Sequence, residues 1–315
     1  MRMVALLDTS ISSNNLGDEI IMDAVRTELR ACIPDAYLVT IVTHDYCGRI
    51  ARKLLRQCEF GILGGTNAMS SAMLRGPNWR ITPFDLGAMR NIVLMGVGWQ
   101  DYHPKASLYA RFLYKQVLSD RYFHSFRDGY THAKAAQLNK KALNTACPTM
   151  WQLTPEHCAT IPTRKANHAV TALTYYRPDP VHDRTMLDLL FAHYGKVYFW
   201  CQQAQDWEYL QSLGHYDVEL IDPNVHAYTQ LLQDEDVDFI GSRLHGGIRA
   251  LQKGRRALIT IVDNRAAEIG RDTHCPTLPR DDHAAIVRWI AGSDPVRITL
   301  PTEAIKTWRG QFALG

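Results

Sequence analysis

No stretch of this chain is apolar for long enough to cross a membrane. No block of five or more like charges occurs, and there is no C-x-x-C pair, internal repeat or low-complexity tract. Each absence excludes something. Without a span of about 20 apolar residues the chain reads as soluble. Without a charge block, and with a formal net charge of only +3, it lacks the electrostatic footprint of a nucleic-acid or membrane-surface protein. Seven cysteines (Cys32, Cys47, Cys58, Cys147, Cys158, Cys201, Cys275) form an odd set without paired spacing. That argues against a disulfide framework and against a zinc ribbon, and it fits a reducing compartment. The first apolar run, Met3 to Leu7, ends at Asp8 and is too short for a signal-peptide core. The sequence therefore predicts a cytoplasmic protein.

What is present is ordinary globular material: 315 residues, 46% hydrophobic and 21% charged, enough for two domains each with its own core. In the first half, Val/Ile/Leu-rich runs at Met3–Asp8, Ala36–Val42, Glu59–Leu63, Asn91–Val97 and Arg121–Phe126 predict strands, with helical spacing between them, as at Ile21, Ala24, Val25 and Leu29. In the second half His168–Thr174, Lys196–Cys201, Asp217–Ile221, Val237–Gly241 and Arg256–Val262 repeat the rhythm, with a Met186, Leu187, Leu190, Phe191 stripe predicting a helix over Asp183–Tyr194. Alternating β and α elements mean parallel sheets. The predicted fold class is α/β, with two Rossmann-like doubly wound domains facing a cleft: residues 1–153, a proline-containing linker at 154–167, and residues 168–295. Residues 296–315 are expected to form a C-terminal helix that packs back across the boundary, and Asp281–Ala291 is also expected to be helical.

In such folds ligands sit at the carboxyl ends of strands, and the polar motifs lie there. Val237–Gly241 runs into Ser242-Arg243-Leu244-His245-Gly246-Gly247, so an arginine and a histidine stand where a strand ends and a helix begins. Helix starts offer unpaired N–H groups and partial positive charge, and the paired glycines read as allowing close approach by an anion. After the first strand comes Asn14-Asn15-Leu16-Gly17-Asp18, with Asp18 either a general base or, like Asn14 and Asn15, a helix cap. After the third comes Gly64-Gly65-Thr66-Asn67, a binding loop or a tight turn. After the fifth comes Ser125-Phe126-Arg127-Asp128, where Arg127 either grips an anion through two parallel hydrogen bonds or pairs with Asp128. Asp263-Asn264-Arg265-Ala266-Ala267-Glu268 supplies polar contacts through Asn264 and Glu268, or caps its helix. Asp234-Glu235-Asp236-Val237-Asp238 precedes a strand and reads as solvated acids, not as metal ligands.

In order and spacing, Asn15-Leu16-Gly17-Asp18, the glycine loop, Ser125-Phe126-Arg127-Asp128, Cys147-Pro148-Thr149 and Ser242-Arg243-Leu244-His245-Gly246 resemble the polysaccharide pyruvyl transferase family over roughly residues 5 to 270. The S-x-R-D and S-R-L-H-G segments are the most specific parts. The resemblance implies a two-domain GT-B-like fold and transfer of the enolpyruvyl unit of phosphoenolpyruvate to a sugar, usually as a ketal across two hydroxyls. This chain departs from the family in having Gly64-Gly65-Thr66 where a triple glycine is usual, and in its loop Gly96-Val97-Gly98-Trp99-Gln100-Asp101.

The residue chemistry fits that reaction. Phosphoenolpyruvate carries phosphate and carboxylate, which two arginines, Arg127 and Arg243, can capture. His245 is the expected acid that protonates the methylene carbon, and Asp18 the base that accepts a hydroxyl proton. Leaving phosphate would be stabilised by Arg243 and the Gly246-Gly247 helix start. Asn15, Gly17, Gly64, Gly65, Thr66, Ser125, Asn264 and Glu268 are expected to contact substrates. No metal and no cofactor beyond the phosphoenolpyruvate co-substrate is called for. The partners expected are that donor and a glycan or lipid-linked sugar, any membrane contact being through the acceptor; the oligomeric state is not legible. Residues 1–153 would hold the acceptor and 168–295 the donor. Two other readings stay open: a GT-B-type glycosyltransferase using a nucleotide sugar, and a non-catalytic glycan- or anion-binding relative.

Overall fold

The computed structural model describes residues 1–313 apart from Arg75, Pro77 and Pro104. The chain divides into two compact units. Unit 1 comprises Met1–Ser13, Ile21–Trp151 and the segment from Pro301 onward; unit 2 comprises Asn14–Ile20 and Gln152–Leu300.

Unit 1 contains strands β1 (Arg2–Asp8), β2 (Ala36–Val42), β3 (Phe60–Gly64), β4 (Ile92–Met95), β5 (His124–Phe126) and β6 (Ala142–Asn144). Four of them form a parallel sheet in the order β2-β1-β3-β4, and β5 pairs in parallel with β6. The two pieces are stitched together where β4 ends. Val97 bridges Phe126, Leu94 N–H donates to His124 Nδ1 at 3.3 Å, and Gly96 N–H donates to Ser125 Oγ at 2.6 Å. Side chains take over the ladder there because Gly96 has φ +62° and turns the backbone out of the sheet.

β1, β3 and β4 are apolar and buried on both faces, which is how strands covered by helices on both sides read. The helix Leu16–Cys32 follows β1 and lays Ile21 and Val25 against the carboxyl end of β3. The last helix, Thr302–Gly310, also belongs to this unit. Trp308 is fully buried and donates from Nε1 to Leu94 O at 3.0 Å, Arg309 pairs with Glu28, and Phe312 stacks on Phe60 and Tyr122.

Unit 2 contains β7 (His168–Thr171), β8 (Val197–Trp200), β9 (Glu219–Ile221), β10 (Val237–Gly241), β11 (Ala257–Ile261) and β12 (Thr277–Pro279). They form one parallel sheet in the order β12-β11-β10-β7-β8-β9. Counted within the unit this is the order 3-2-1-4-5-6 of dinucleotide-binding folds, which puts the switch point between β7 and β10. The two strands approach closely there: a Cβ on Gly241 would lie 2.7 Å from Ala172 O. On the helix Pro180–His193, Met186, Leu187 and Leu190 are buried, while Phe191 lies at the edge of the stripe and packs beside Tyr216.

Several elements differ from expectation at their ends. β5 begins at His124 rather than Arg121, and β7 stops at Thr171 rather than Thr174, because Thr174 leaves the ladder to hydrogen-bond Ser242. β6 and β12 were not expected at all; each is three residues long, and β12 ends on a proline that only an edge strand tolerates.

Candidate functional site

Ser242 and Arg243 leave β10 at the switch point of the unit 2 sheet, and Arg243 becomes the N-cap of the helix Leu244–Gln252. Its guanidinium is buried and held on several sides. Nε donates to Leu173 O at 2.8 Å and to Asp206 Oδ2 at 3.1 Å, Nη1 donates to Gln203 Oε1 at 2.8 Å, and Nη2 pairs with Asp206 Oδ1. The ring of Tyr176 lies 5.1 Å from its central carbon. An arginine stays charged in any protein interior, so Asp206 is the counterion this burial requires. Burial pushes the Asp206 carboxyl above its ordinary range, and the Arg243 charge pulls the other way. Ser242 is fixed in turn, its N–H on Ala172 O at 2.9 Å and its Oγ on Thr174 at 3.0 Å.

His245 is buried in the first turn of that helix. It lines a small cavity with Arg243, Ser242, Gln202, Tyr176 and Arg265. Arg265 comes from the start of the next helix, Asn264–Thr273, where it donates to Asp263 (Nε to Oδ2, 2.9 Å) and to Tyr176 OH (Nη2, 2.6 Å). One tyrosine thus links two guanidiniums. Tyr176 also borders a larger cavity of about 560 Å³ that carries Arg177, His182 and Arg280.

The Asn14–Asp18 segment belongs to this same unit. Leu16 N–H donates to Gln202 O at 2.9 Å, Gln202 Nε2 to Asn15 Oδ1 at 2.7 Å, and Gln203 Nε2 to Asn14 Oδ1 at 3.0 Å. Asn15 Oδ1 also caps Gly17 N–H at 3.1 Å. A side chain on Gly17 would put its Cβ 2.7 Å from Gln202 Nε2, so the glycine is what lets the turn seat on that amide. Gln203 bonds both Asn14 and Arg243. Two motifs more than 200 residues apart, the one carrying Asp18 and the one carrying His245, are therefore joined through a single glutamine. Asp18 is buried.

In unit 1, Arg127 is buried and engages Asp128 through Nε and Nη2, both at 3.2 Å, while Asp128 caps Thr131 N–H at 2.7 Å. The Arg127 Nη2 and the Asn67 Oδ1 both crowd the space a side chain on Gly98 would fill, each 2.5 Å from its Cβ position. Asn67 Oδ1 is buried without a hydrogen-bond partner. Thr66 has φ +55°, a costly conformation for a β-branched residue, and its carbonyl accepts from Gly98 N–H at 2.8 Å.

Three expectations need correction. The Gly246-Gly247 pair turns its missing side chains toward the sheet, not toward a ligand: a Cβ on Gly247 would lie 2.4 Å from Ile259 Cγ1, and one on Gly246 3.3 Å from Phe239. Gly64 and Gly65 likewise make room for Val25 and Ile21 of the first helix. Ser125 is fully buried, its hydroxyl engaged by Gly96 N–H and by Thr145, so it holds a loop instead of meeting a substrate. Glu268 pairs with Arg271, and Asn264 is the first residue of its helix.

Gln202, Gln203 and Asp206 were not singled out from the sequence. Their place at the carboxyl end of β8, one strand from the switch point, is the signal that would have found them. All seven cysteines are free, and burial pushes the thiols of Cys147 up and those of Cys47 and Cys201 to about 11, so these are not thiolates at neutral pH. Among the described residues no cluster of three or more His, Cys, Asp or Glu is placed to hold a metal, and no helix is long and apolar enough to cross a membrane.

A family model described as polysaccharide pyruvyl transferase matches residues 15–264. Among solved structures, the chain is similar to a protein assigned as a UDP-N-acetylglucosamine 2-epimerase from Listeria monocytogenes (TM-score 0.54, 8% identity, covering 98% of this chain and 90% of that one). It is also similar to S. aureus MnaA in complex with UDP (TM-score 0.50, 10% identity, covering 94% and 92%). At such identities the likeness shows the fold alone, a two-domain Rossmann-like architecture of GT-B type. No curated protein matches the sequence.

Proposed function

The chain belongs to the polysaccharide pyruvyl transferase family, and on that premise we propose that it moves the enolpyruvyl unit of phosphoenolpyruvate onto a sugar of a glycan or its lipid-linked precursor, as a pyruvate ketal. The observation that carries this reading is the tie from Asn14 through Gln203 to Arg243, which joins the segment carrying Asp18 to the segment carrying Arg243 and His245 within unit 2. Arg265 adds a second guanidinium to the wall of the same small cavity, and paired guanidiniums are the chemistry that a dianion or trianion calls for.

In the proposed reaction His245 gives its proton to the methylene carbon of the donor, which leaves positive charge on the adjoining carbon. A sugar hydroxyl adds there and its proton passes to Asp18. The second hydroxyl then attacks the same carbon, the bond to the phosphate oxygen breaks, and the second proton leaves with inorganic phosphate. Return of the Asp18 proton to His245 restores the starting state, so protons balance without a further reactant. Arg243 and the N–H groups at the start of Leu244–Gln252 face the charge that develops on departing phosphate. Seven free thiols support a reducing, cytoplasmic setting, with any membrane contact made through the acceptor.

The test is incubation with phosphoenolpyruvate and a panel of glycan acceptors, following phosphate release and product mass. A mass gain equal to a pyruvate ketal with stoichiometric phosphate supports the reading. A hexose gain with nucleotide release, when nucleotide sugars are supplied instead, would replace it with glycosyl transfer.

A further inference from the structure

A third cavity in unit 2, of about 440 Å³, is lined by residues that include Asn14, Gln202, Gln203, Trp207, Leu220 and Pro223. None of its lining residues is charged, Cys201 included, since burial holds that thiol at about 11. This is unlike the neighbouring cavity with its two arginines and histidine, so the two spaces suit different ligands.

The hydrogen bonds fix which way the amides point. Gly17 N–H can only donate, so the Asn15 atom it meets is Oδ1, and the Gln202 atom facing that oxygen must be the NH₂ group. Gln202 Oε1 is thereby turned the other way; it is buried and has no hydrogen-bond partner. Arg243 can only donate as well, so Gln203 presents Oε1 to it and NH₂ to Asn14 Oδ1, which frees the Asn14 NH₂. The lining thus includes Gln202, whose Oε1 lacks a partner, an available donor on the exposed Asn14, and the indole of Trp207. An unpaired buried carbonyl is destabilising, a reason to look for its missing donor in a ligand. The phosphate ester of phosphoenolpyruvate, with a second pKa of about 6, and its carboxylate offer mainly acceptors at neutral pH and would be repelled. A sugar hydroxyl both donates and accepts, and a sugar's C–H face packs on an aromatic ring.

The geometry points to this cavity as a subsite for an uncharged sugar ring of the acceptor, laid on Trp207 and handing a hydroxyl hydrogen to Gln202 Oε1. The identity of that sugar as acceptor rests on the pyruvyl-transfer reading. Gln202 lines both cavities, so a ring seated here brings its remaining hydroxyls to the wall shared with Arg243 and His245.

The experiment is saturation-transfer NMR on the full chain with the methyl glycosides of glucose, galactose, mannose and N-acetylglucosamine, with uridine as the nucleobase control and phosphoenolpyruvate titrated separately. At least one glycoside binds the wild type. Trp207→Leu weakens it about tenfold, as does Gln202→Met, which keeps length but removes the acceptor. Leu220→Trp fills the cavity from an exposed strand position and blocks binding without touching the core. Phosphoenolpyruvate binding is unchanged in Trp207→Leu and Leu220→Trp. The subsite is overturned if no glycoside binds the wild type, if the variants bind as the wild type does, or if uridine alone occupies the cavity. Loss of phosphoenolpyruvate binding in the wild type with glycoside binding intact would instead sink the pyruvyl-transfer reading and leave the sugar site standing.

Discussion

Asp206 grips the Arg243 guanidinium along its Nε edge, with Nε 3.1 Å from Oδ2 and Nη2 on Oδ1, in a pair that solvent does not reach. The cation at the heart of the S-R-L-H segment is therefore aimed before any ligand arrives.

Removing the carboxylate should be expensive. Asp206→Ala leaves a buried positive charge without its counterion and is expected to lower unfolding stability by about 3–5 kcal/mol in urea titrations. Asp206→Asn, which keeps the shape, should cost less and should show its effect as weaker capture of phosphoenolpyruvate. An Asp206→Ala protein as stable as the wild type would mean that Arg243 is neutralised by some other route.

His245→Ala is expected to reduce kcat by about 10²–10⁴-fold, the usual contribution of a positioned proton donor, with an unchanged circular dichroism spectrum. Near-normal turnover would remove the imidazole from the proposed chemistry.

Gly247→Ala tests whether the glycine pair serves packing. The new methyl would meet Ile259 at 2.4 Å, so the helix must shift off the sheet, and a loss of about 1–3 kcal/mol is expected in the same titrations. Ile259→Ala in the same chain should restore part of that loss, an outcome a ligand-contact role for Gly247 does not produce.

Stability should fall on the acid side of neutrality through His124. Burial in unit 1 lowers its pKa to about 4, and its Nδ1 accepts Leu94 N–H, so a second ring proton would confront another donor. The unfolded chain takes up that proton near pH 6.5 and the folded chain only near 4, so the contribution is complete above 6.5 and is lost as pH drops through that window. Melting temperatures between pH 7.5 and 4.5 should trace this decline, and His124→Asn, less stable throughout, should show a shallower slope.

The interior strands were legible because residues buried on both faces of a parallel sheet leave continuous apolar runs, and Val237–Gly241 forms with the bounds expected; Ala36–Val42 also forms with the bounds expected, but as a half-exposed edge strand marked by its Val, Ile, Leu and Tyr content. β6 and β12 were not, since three residues at a sheet edge leave no periodicity to detect. The glycine pairs misled for a different reason: a bare Cα is demanded equally by an incoming anion and by a helix crossing close over a strand, and only coordinates show which neighbour fills the space. Gln202 and Gln203 gave no sign because a neutral amide announces nothing by type; its meaning comes from what it faces. Arg243, by contrast, declared itself through position alone, a guanidinium at a strand end ahead of a helix.

Trp308 and Phe312 complete the packing of a sheet whose first strand begins at Arg2. During synthesis the strands of unit 1 must therefore wait, with the Leu94 carbonyl and the ring of Phe60 uncovered, until Trp308 and Phe312 have left the ribosome. Within this unit the order of manufacture and the order of consolidation are opposed: strands made earlier close only over side chains made much later.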